Sequence, residues 1–139
     1  PRGTTEDAKK LMDRLMAKIE DNMDIISLYE EDIKEDDDIL ILAYGSTMRS
    51  AINAVNRARS EGINAGWIKL QTLWPFPEQY IKEISKKVDK IIVPELNRGQ
   101  IIKEVKEHVF GNAEVHGINK YDGTLIKPDE ILNKIKEVK

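Results

Sequence analysis

The sequence contains no cysteine, and that absence removes several chemistries at once. Disulfides, a thiolate nucleophile and cysteine-ligated iron–sulfur or zinc centres are all excluded from this chain. Histidine is nearly absent too. His108 falls within a predicted helix and His116 near the end of a predicted strand. The two are not at ligand spacing, so no metal site is expected. No basic stripe interleaved with aromatics is present, and the formal net charge is −3, which argues against a nucleic-acid partner. Long hydrophobic runs are missing: stretches such as Ile39–Tyr44 are far too short to span a bilayer. The first residues are polar and do not read as a signal peptide, so the expected location is cytoplasmic. Neither a Walker loop, nor a G-x-G-x-x-G fingerprint, nor a calcium loop of the D-x-[DN]-x-[DN]-G type occurs. There is no internal repeat and no low-complexity segment.

What is present is ordinary globular composition. Of 139 residues, 40% are hydrophobic and 34% charged, enough for one domain with a real core rather than a disordered segment. The chain opens on Pro1 and reads as cut from something longer. Ala8, Leu11, Met12, Leu15, Met16 and Ile19 recur at the spacing of one helical face. Residues 1–24 are therefore expected to form a linker helix, with residues 25–139 as the main domain. Ile26–Tyr29 is the first predicted strand. The acidic residues that follow it, Glu30-Glu31-Asp32 and Glu35 through Asp38, read as a solvated connection.

From Ile39 onward strands and helices alternate. The apolar run from Ile39 is the second strand, and a helix carrying Ala51, Ile52 and Val55 inward is stopped by Gly62. Ala65–Leu70 is the third strand. Gln71–Phe76 is a loop, and Pro77 suits the first position of the next helix. Lys90–Val93 is the fourth strand, followed by a helix with Ile101, Ile102, Val105 and Val109. Ala113–His116 is the fifth strand and Pro128–Val138 a closing helix. Such alternation predicts an α/β fold with a mainly parallel sheet covered on both faces. Ligands and partners then gather at the carboxyl ends of the strands, here the loops Gly45–Thr47, Gln71–Phe76, Glu95–Gln100 and Gly117–Tyr121.

Three groups on that edge are candidates. Gly45, Ser46 and Thr47 open a helix, so their amides suit a small anion, or Ser46 or Thr47 caps the helix. Glu95, with Asn97, Gly99 and Gln100, reads as a local helix cap, an interface contact or a catalytic carboxylate. Trp74, Pro75 and Phe76 form a stiff apolar segment, either packed inward or presented to another chain. A small hydrolase would need Glu95 or His116 to pair with Ser46, but no G-x-S-x-G elbow surrounds that serine.

Taken together, Ala43-Tyr44-Gly45-Ser46-Thr47, Lys69-Leu70-Gln71-Thr72-Leu73-Trp74-Pro75-Phe76-Pro77 and Val93-Pro94-Glu95-Leu96-Asn97-Arg98-Gly99-Gln100 resemble the C-terminal domain of the α chain of 2-oxoacid:ferredoxin oxidoreductases. Asn119-Lys120-Tyr121-Asp122-Gly123 and Pro128-Asp129-Glu130-Ile131-Leu132 are similar as well. The 2-oxoglutarate and 2-oxoisovalerate branches look nearest. This resemblance implies a transketolase C-terminal-like fold: three layers, α/β/α, around a five-stranded mixed sheet of order 1-3-2-4-5. Strand 1 is antiparallel, and an N-terminal helix precedes the sheet. It implies a structural and subunit-assembly role in an enzyme that oxidatively decarboxylates a 2-oxoacid, 2-oxoglutarate first, with coenzyme A and ferredoxin. Thiamine diphosphate, magnesium and iron–sulfur clusters are expected elsewhere in that complex. Tyr121-Asp122-Gly123 is not the family's Gly-Asp-Gly diphosphate motif, so no catalytic, cofactor or metal residue is assigned to this chain. Its expected partners are the preceding α-chain domain and the other subunits. The competing expectation is a free-standing module whose crevice takes a small anion or a nucleotide.

Overall fold

A computed structural model describes residues 9–10, 13–14, 29–71, 73, 75–96, 99–120 and 122–139. Of the expected N-terminal helix, Lys9, Lys10, Asp13 and Arg14 are helical and exposed. The rest of residues 1–24, and Ile26–Leu28 of the first predicted strand, lie outside the described residues.

The described elements run β1 (Tyr29–Asp32), β2 (Ile39–Tyr44), α1 (Thr47–Ser60), β3 (Ala65–Leu70), α2 (Glu78–Ser85), β4 (Lys90–Glu95), α3 (Gln100–Val109), β5 (Glu114–Asn119) and α4 (Pro128–Val138). The sheet order is β1-β3-β2-β4-β5. β1 is antiparallel to β3, and the other pairs are parallel.

The inner strands explain the layers. Their side chains alternate between faces, and both faces of β2 are apolar. Ile39, Ile41 and Ala43 join Ala51, Val55, Ala58, Ile131 and Ile135 under α1 and α4. Leu40 and Leu42 join Ile68, Ile81, Ile91, Val105 and Val109 under α2 and α3. A near-continuous apolar run such as Ile39-Leu40-Ile41-Leu42-Ala43, whose members are 0 to 3% exposed, is what a strand covered on both sides requires. α1 and α4 also pair at the surface: Arg57 Nη1 lies 2.5 Å from Asp129 and Lys136 Nζ 2.9 Å from Glu61. α4 begins with Pro128 in its first turn, where a missing amide costs nothing. Glu130 folds back to accept the Lys127 amide at 2.7 Å. Lys120, 2.8 Å away, and that amide hold the Glu130 carboxyl below its ordinary value.

Three boundaries differ from the sequence reading, each for a physical reason. The described part of the first strand is Tyr29–Asp32, so Glu30, Glu31 and Asp32 belong to the strand rather than to a connection, while Ile26–Leu28 of the predicted strand lie outside the described residues. An edge strand pairs on one side only, and charge there deters further pairing. The acidic residues also have partners. Tyr29 stacks on Tyr80 with ring centroids 3.7 Å apart, the Tyr80 hydroxyl donates to Glu31, and Asp32 meets Arg59 at 3.0 Å. β4 runs on through Pro94 to Glu95. Its pairing with β2 ends at Ile41↔Ile92, while pairing with β5 continues to Glu95↔Asn119, so the amide that proline lacks falls past the two-sided part of the strand. β5 runs from Glu114 to Asn119, so Gly117, Ile118 and Asn119 are strand rather than loop. A side chain at Gly117 would meet Ile102 Cδ1 at 2.8 Å. The glycine lets α3 sit close to β5 instead of ending the strand.

At the amino end of the sheet Arg59 ties three elements. Its Nε donates to the Ala65 carbonyl at 2.8 Å, Nη1 to Asp32 at 3.0 Å, and Nη2 to the Asp32 carbonyl at 3.0 Å and to Asp37 at 3.3 Å. Asp37 is buried, and its Oδ2 also accepts the Lys34 amide at 2.7 Å. Only glycine fits beside this knot: a Cβ on Gly66 would lie 2.7 Å from both the Asp32 carbonyl and Asp37 Oδ2.

Candidate functional site at the switch point

The direction in which the chain winds reverses between β2 and β4, and their carboxyl ends part there. Tyr44 closes β2 and Glu95 closes β4. Glu95 is 1% exposed, which for a carboxylate demands partners. It has three. The Ile101 amide donates to Oε1 at 2.9 Å, the Ile102 amide to Oε2 at 3.1 Å and the Tyr44 hydroxyl to Oε1 at 3.2 Å. The first two belong to the opening turn of α3, whose free amides and dipole favour an anion. The chain therefore supplies that anion itself. Gly99 makes the turn possible. It sits at φ +80°, and a side chain there would meet Ile102 Cγ2 at 3.0 Å and Asn119 Nδ2 at 3.3 Å.

The other helix start on this edge is open. Gly45 has φ +60° and accepts the Met48 amide at 3.2 Å. Ser46 occupies the cap position without a side-chain cap bond, against the capping alternative. Gly45 and Ser46 are exposed and Thr47 is buried. Gln100 is exposed, Gly99 buried and Pro75 half-buried. Trp74 and Asn97 lie outside the described residues.

Phe76 does not belong to a contact surface. It is 7% exposed, packs in the core under α2 and α3, and stacks on His108 with centroids 5.8 Å apart. Among the described residues, the large apolar side chains that do reach solvent on these loops are Leu73 at 41% and Leu125 at 63%. Nothing in their local sequence distinguished them from the buried leucines. Tyr44 was likewise hidden in an apolar run. His116 falls within β5, its Nε2 buried without a hydrogen-bond partner. Glu95 is engaged by donors other than Ser46, and the buried Nε2 of His116 has no hydrogen bond to that serine. Open clefts of about 330 and 560 Å³ lie at the other end of the sheet and beside α2, lined by Asp38, Asn64 and Lys90 and by Ile33, Ile84 and Val88 respectively. No described helix is long and apolar enough to cross a membrane.

Comparison with known proteins places this geometry. Residues 37–131 match the pyruvate:ferredoxin oxidoreductase core domain II. A 2-oxoglutarate synthase subunit KorA from Methanothermobacter marburgensis is 43% identical over 134 residues, covering 96% of this chain and 36% of the relative. A ketoisovalerate oxidoreductase subunit VorB from Methanothermobacter thermautotrophicus is 37% identical over 122 residues, 88% of this chain and 34% of the relative. The chain thus spans about a third of the length of the curated relatives it matches. A solved 2-oxoglutarate:ferredoxin oxidoreductase from Magnetococcus marinus superposes with a TM-score of 0.75 at 23% identity, over 99% of this chain and 24% of that one. A split-gene transketolase shares the fold at a TM-score of 0.65 and 19% identity, over 78% of this chain and 40% of that one. The strand order with its antiparallel first strand is the one the transketolase-like resemblance implied. The family match takes in every element from β2 to the first half of α4, the self-capped crevice included, and on that ground the chain belongs to the core domain II family of the pyruvate:ferredoxin oxidoreductases.

Proposed function

We propose that this chain is the structural and subunit-assembly domain of a cytoplasmic 2-oxoacid:ferredoxin oxidoreductase, one acting on 2-oxoglutarate with coenzyme A, and that it is not catalytic alone. The observation that carries the reading is the 43% identity to a 2-oxoglutarate synthase subunit across nearly the whole chain. Ketoisovalerate oxidoreductase subunits at 37% fall within the 34–43% range of the archaeal 2-oxoglutarate synthase subunits, so the choice of 2-oxoglutarate rests on the two highest identities, 43% and 40%.

The residues present do not suit thiamine diphosphate or an iron–sulfur cluster. Cysteine is absent. Of the two helix starts on this edge, that of α3 has its Ile101 and Ile102 amides taken by Glu95. In this reading those cofactors, with magnesium, sit on other domains and subunits, and the carboxyl edge meets them as a surface. Gly45, Ser46, Gln100, Pro75 and the exposed Leu73 and Leu125 offer polar groups around apolar ones, the mix found at protein interfaces. Trp74 and Asn97 are proposed to share that surface.

The purified chain is expected to show no 2-oxoglutarate-dependent reduction of methyl viologen with coenzyme A, and to restore turnover only with its companion polypeptides. Turnover by the chain alone, after removal of contaminating subunits, would overturn the proposal. Calorimetric titration with phosphate and ATP tests the anion-module alternative, which the open Gly45–Ser46 helix start keeps specific. Saturable heat lost on Ser46→Pro would support that alternative.

A further inference from the structure

We propose that β5 is the edge at which a second copy of this chain joins the sheet, antiparallel and about a two-fold axis at Gly117. The two edges of the sheet are not alike. β1 is four residues long and three of them are acidic, the kind of edge that resists a further strand. β5 is six residues long, its only acidic or basic residue besides His116 is Glu114 at the start, and among the described residues no strand lies beyond it. Val115, His116, Gly117 and Ile118 are all half-buried, whereas Ile91, Ile92 and Val93 of the neighbouring β4 are fully buried. Both faces of this edge are therefore incompletely covered.

The direction of the backbone decides which residues can pair. The Glu114 amide donates to the Asp89 carbonyl at 2.9 Å, and the Lys120 amide to the Glu95 carbonyl at 3.3 Å. In a parallel ladder alternate residues bond to the same neighbour. Glu114, His116, Ile118 and Lys120 thus face β4, while Val115 and Gly117 turn amide and carbonyl outward. Antiparallel strands exchange bonds between outward-facing residues that lie directly opposite each other. With Gly117 opposite itself, the two glycines exchange N–H···O bonds, and Val115 falls opposite Asn119 of the second copy. A Cβ on Gly117 would meet Ile102 Cδ1 at 2.8 Å, so the half-buried Ile102 of each copy covers the join.

Charge identifies the occupant. In that register Glu114 falls opposite Lys120 of the second copy, and symmetry repeats the pair at the other end. Strand alternation puts both side chains on one face, where opposite charges directly across attract. Moving the axis by one residue in either direction separates them. Glu114 is 65% exposed. The Lys120 ammonium has three donors, of which Glu130 and the Leu125 carbonyl engage two. The join runs along the side of the sheet and leaves Gly45, Ser46 and Gln100 to other subunits.

The test is sedimentation equilibrium of the intact chain from about 5 to 500 μM. The mass is expected to rise from 15.9 kDa to twice that value, with a Kd on the order of 10 μM. Amide exchange at Val115 and Gly117 should slow as the dimer fills. Glu114→Lys sets like charges opposite each other and should weaken association about tenfold or more. Val115→Pro removes an outward amide without touching the β4 ladder and should abolish association. Glu114 is exposed, so its variant decides the matter even if Val115→Pro fails to fold. A monomer throughout that range overturns the proposal. A dimer that Glu114→Lys leaves unchanged, or one in which the Val115 and Gly117 amides stay unprotected, overturns it as well.

Discussion

Glu95→Ala is expected to destabilise the domain by about 3–5 kcal/mol. The wild-type carboxylate is nearly inaccessible and receives two backbone amides and a tyrosine hydroxyl. Removing it leaves the Ile101 and Ile102 amides short of an acceptor at the start of α3. Each such donor costs about 1–3 kcal/mol when stranded, and the anion that complements the helix dipole is lost as well. Glu95→Gln keeps the shape and an acceptor oxygen, so about 1–2 kcal/mol is expected. Urea denaturation at unchanged m-value reads both. A loss below about 0.5 kcal/mol for the alanine variant would show that the start of α3 does not depend on this carboxylate.

Arg59→Ala is expected to cost about 2–3 kcal/mol. Arg59 donates to two carbonyls and two carboxylates. The loss falls hardest on Asp37, whose side chain is 3% exposed and would retain the Lys34 amide but no cation. The estimate sits below the usual cost of breaking a buried pair because Asp32, the other carboxylate, is 47% exposed and screened by water. Burial opposes the charge on Arg59, but its bonds to Asp32 and Asp37 outweigh that and raise the guanidinium pKa. A raised pKa on a cation stabilises the fold below the unfolded value and fades only as pH climbs past the folded one. The Arg59 guanidinium therefore contributes no pH dependence near neutrality. In a double-mutant cycle, Asp37→Asn should remove much of the effect of Arg59→Ala. Fully additive losses would mean the two side chains act separately.

The inner part of the fold was legible in the sequence because its signals are redundant. Ala65–Leu70 and Pro128–Val138 have the predicted bounds: one is an apolar run with a glycine turn before it, the other an amphipathic repeat opened by proline. The edges were less legible. Tyr29-Glu30-Glu31-Asp32 carries no apolar pattern, and its partners are β3, Tyr80 and Arg59, which are remote in sequence. Gly117 looked like a terminator because a close approach by Ile102 cannot be seen from neighbouring residues.

The site shows the same division. Glu95 stood out after an apolar strand and a proline, and local capping was among its expected roles. Which donors would reach it depended on Tyr44, 51 residues away. Phe76 and the loop leucines were indistinguishable as apolar letters. Burial of one and exposure of the others follow from where α2 and α3 meet.

The pairing of α1 with α4 also sets a schedule for synthesis. One face of the sheet is covered by helices that begin at Thr47 and Pro128, and Ile131, Leu132 and Ile135 complete that core. A ribosome adding about 5–20 residues each second takes several seconds to travel from the end of the first helix to the start of the second. Throughout that interval Ile39, Ile41 and Val55 lack the cover that α4 supplies. The nascent chain is then a ready client for a chaperone that holds apolar surface, and a pause between Ser60 and Pro128 would lengthen its dependence.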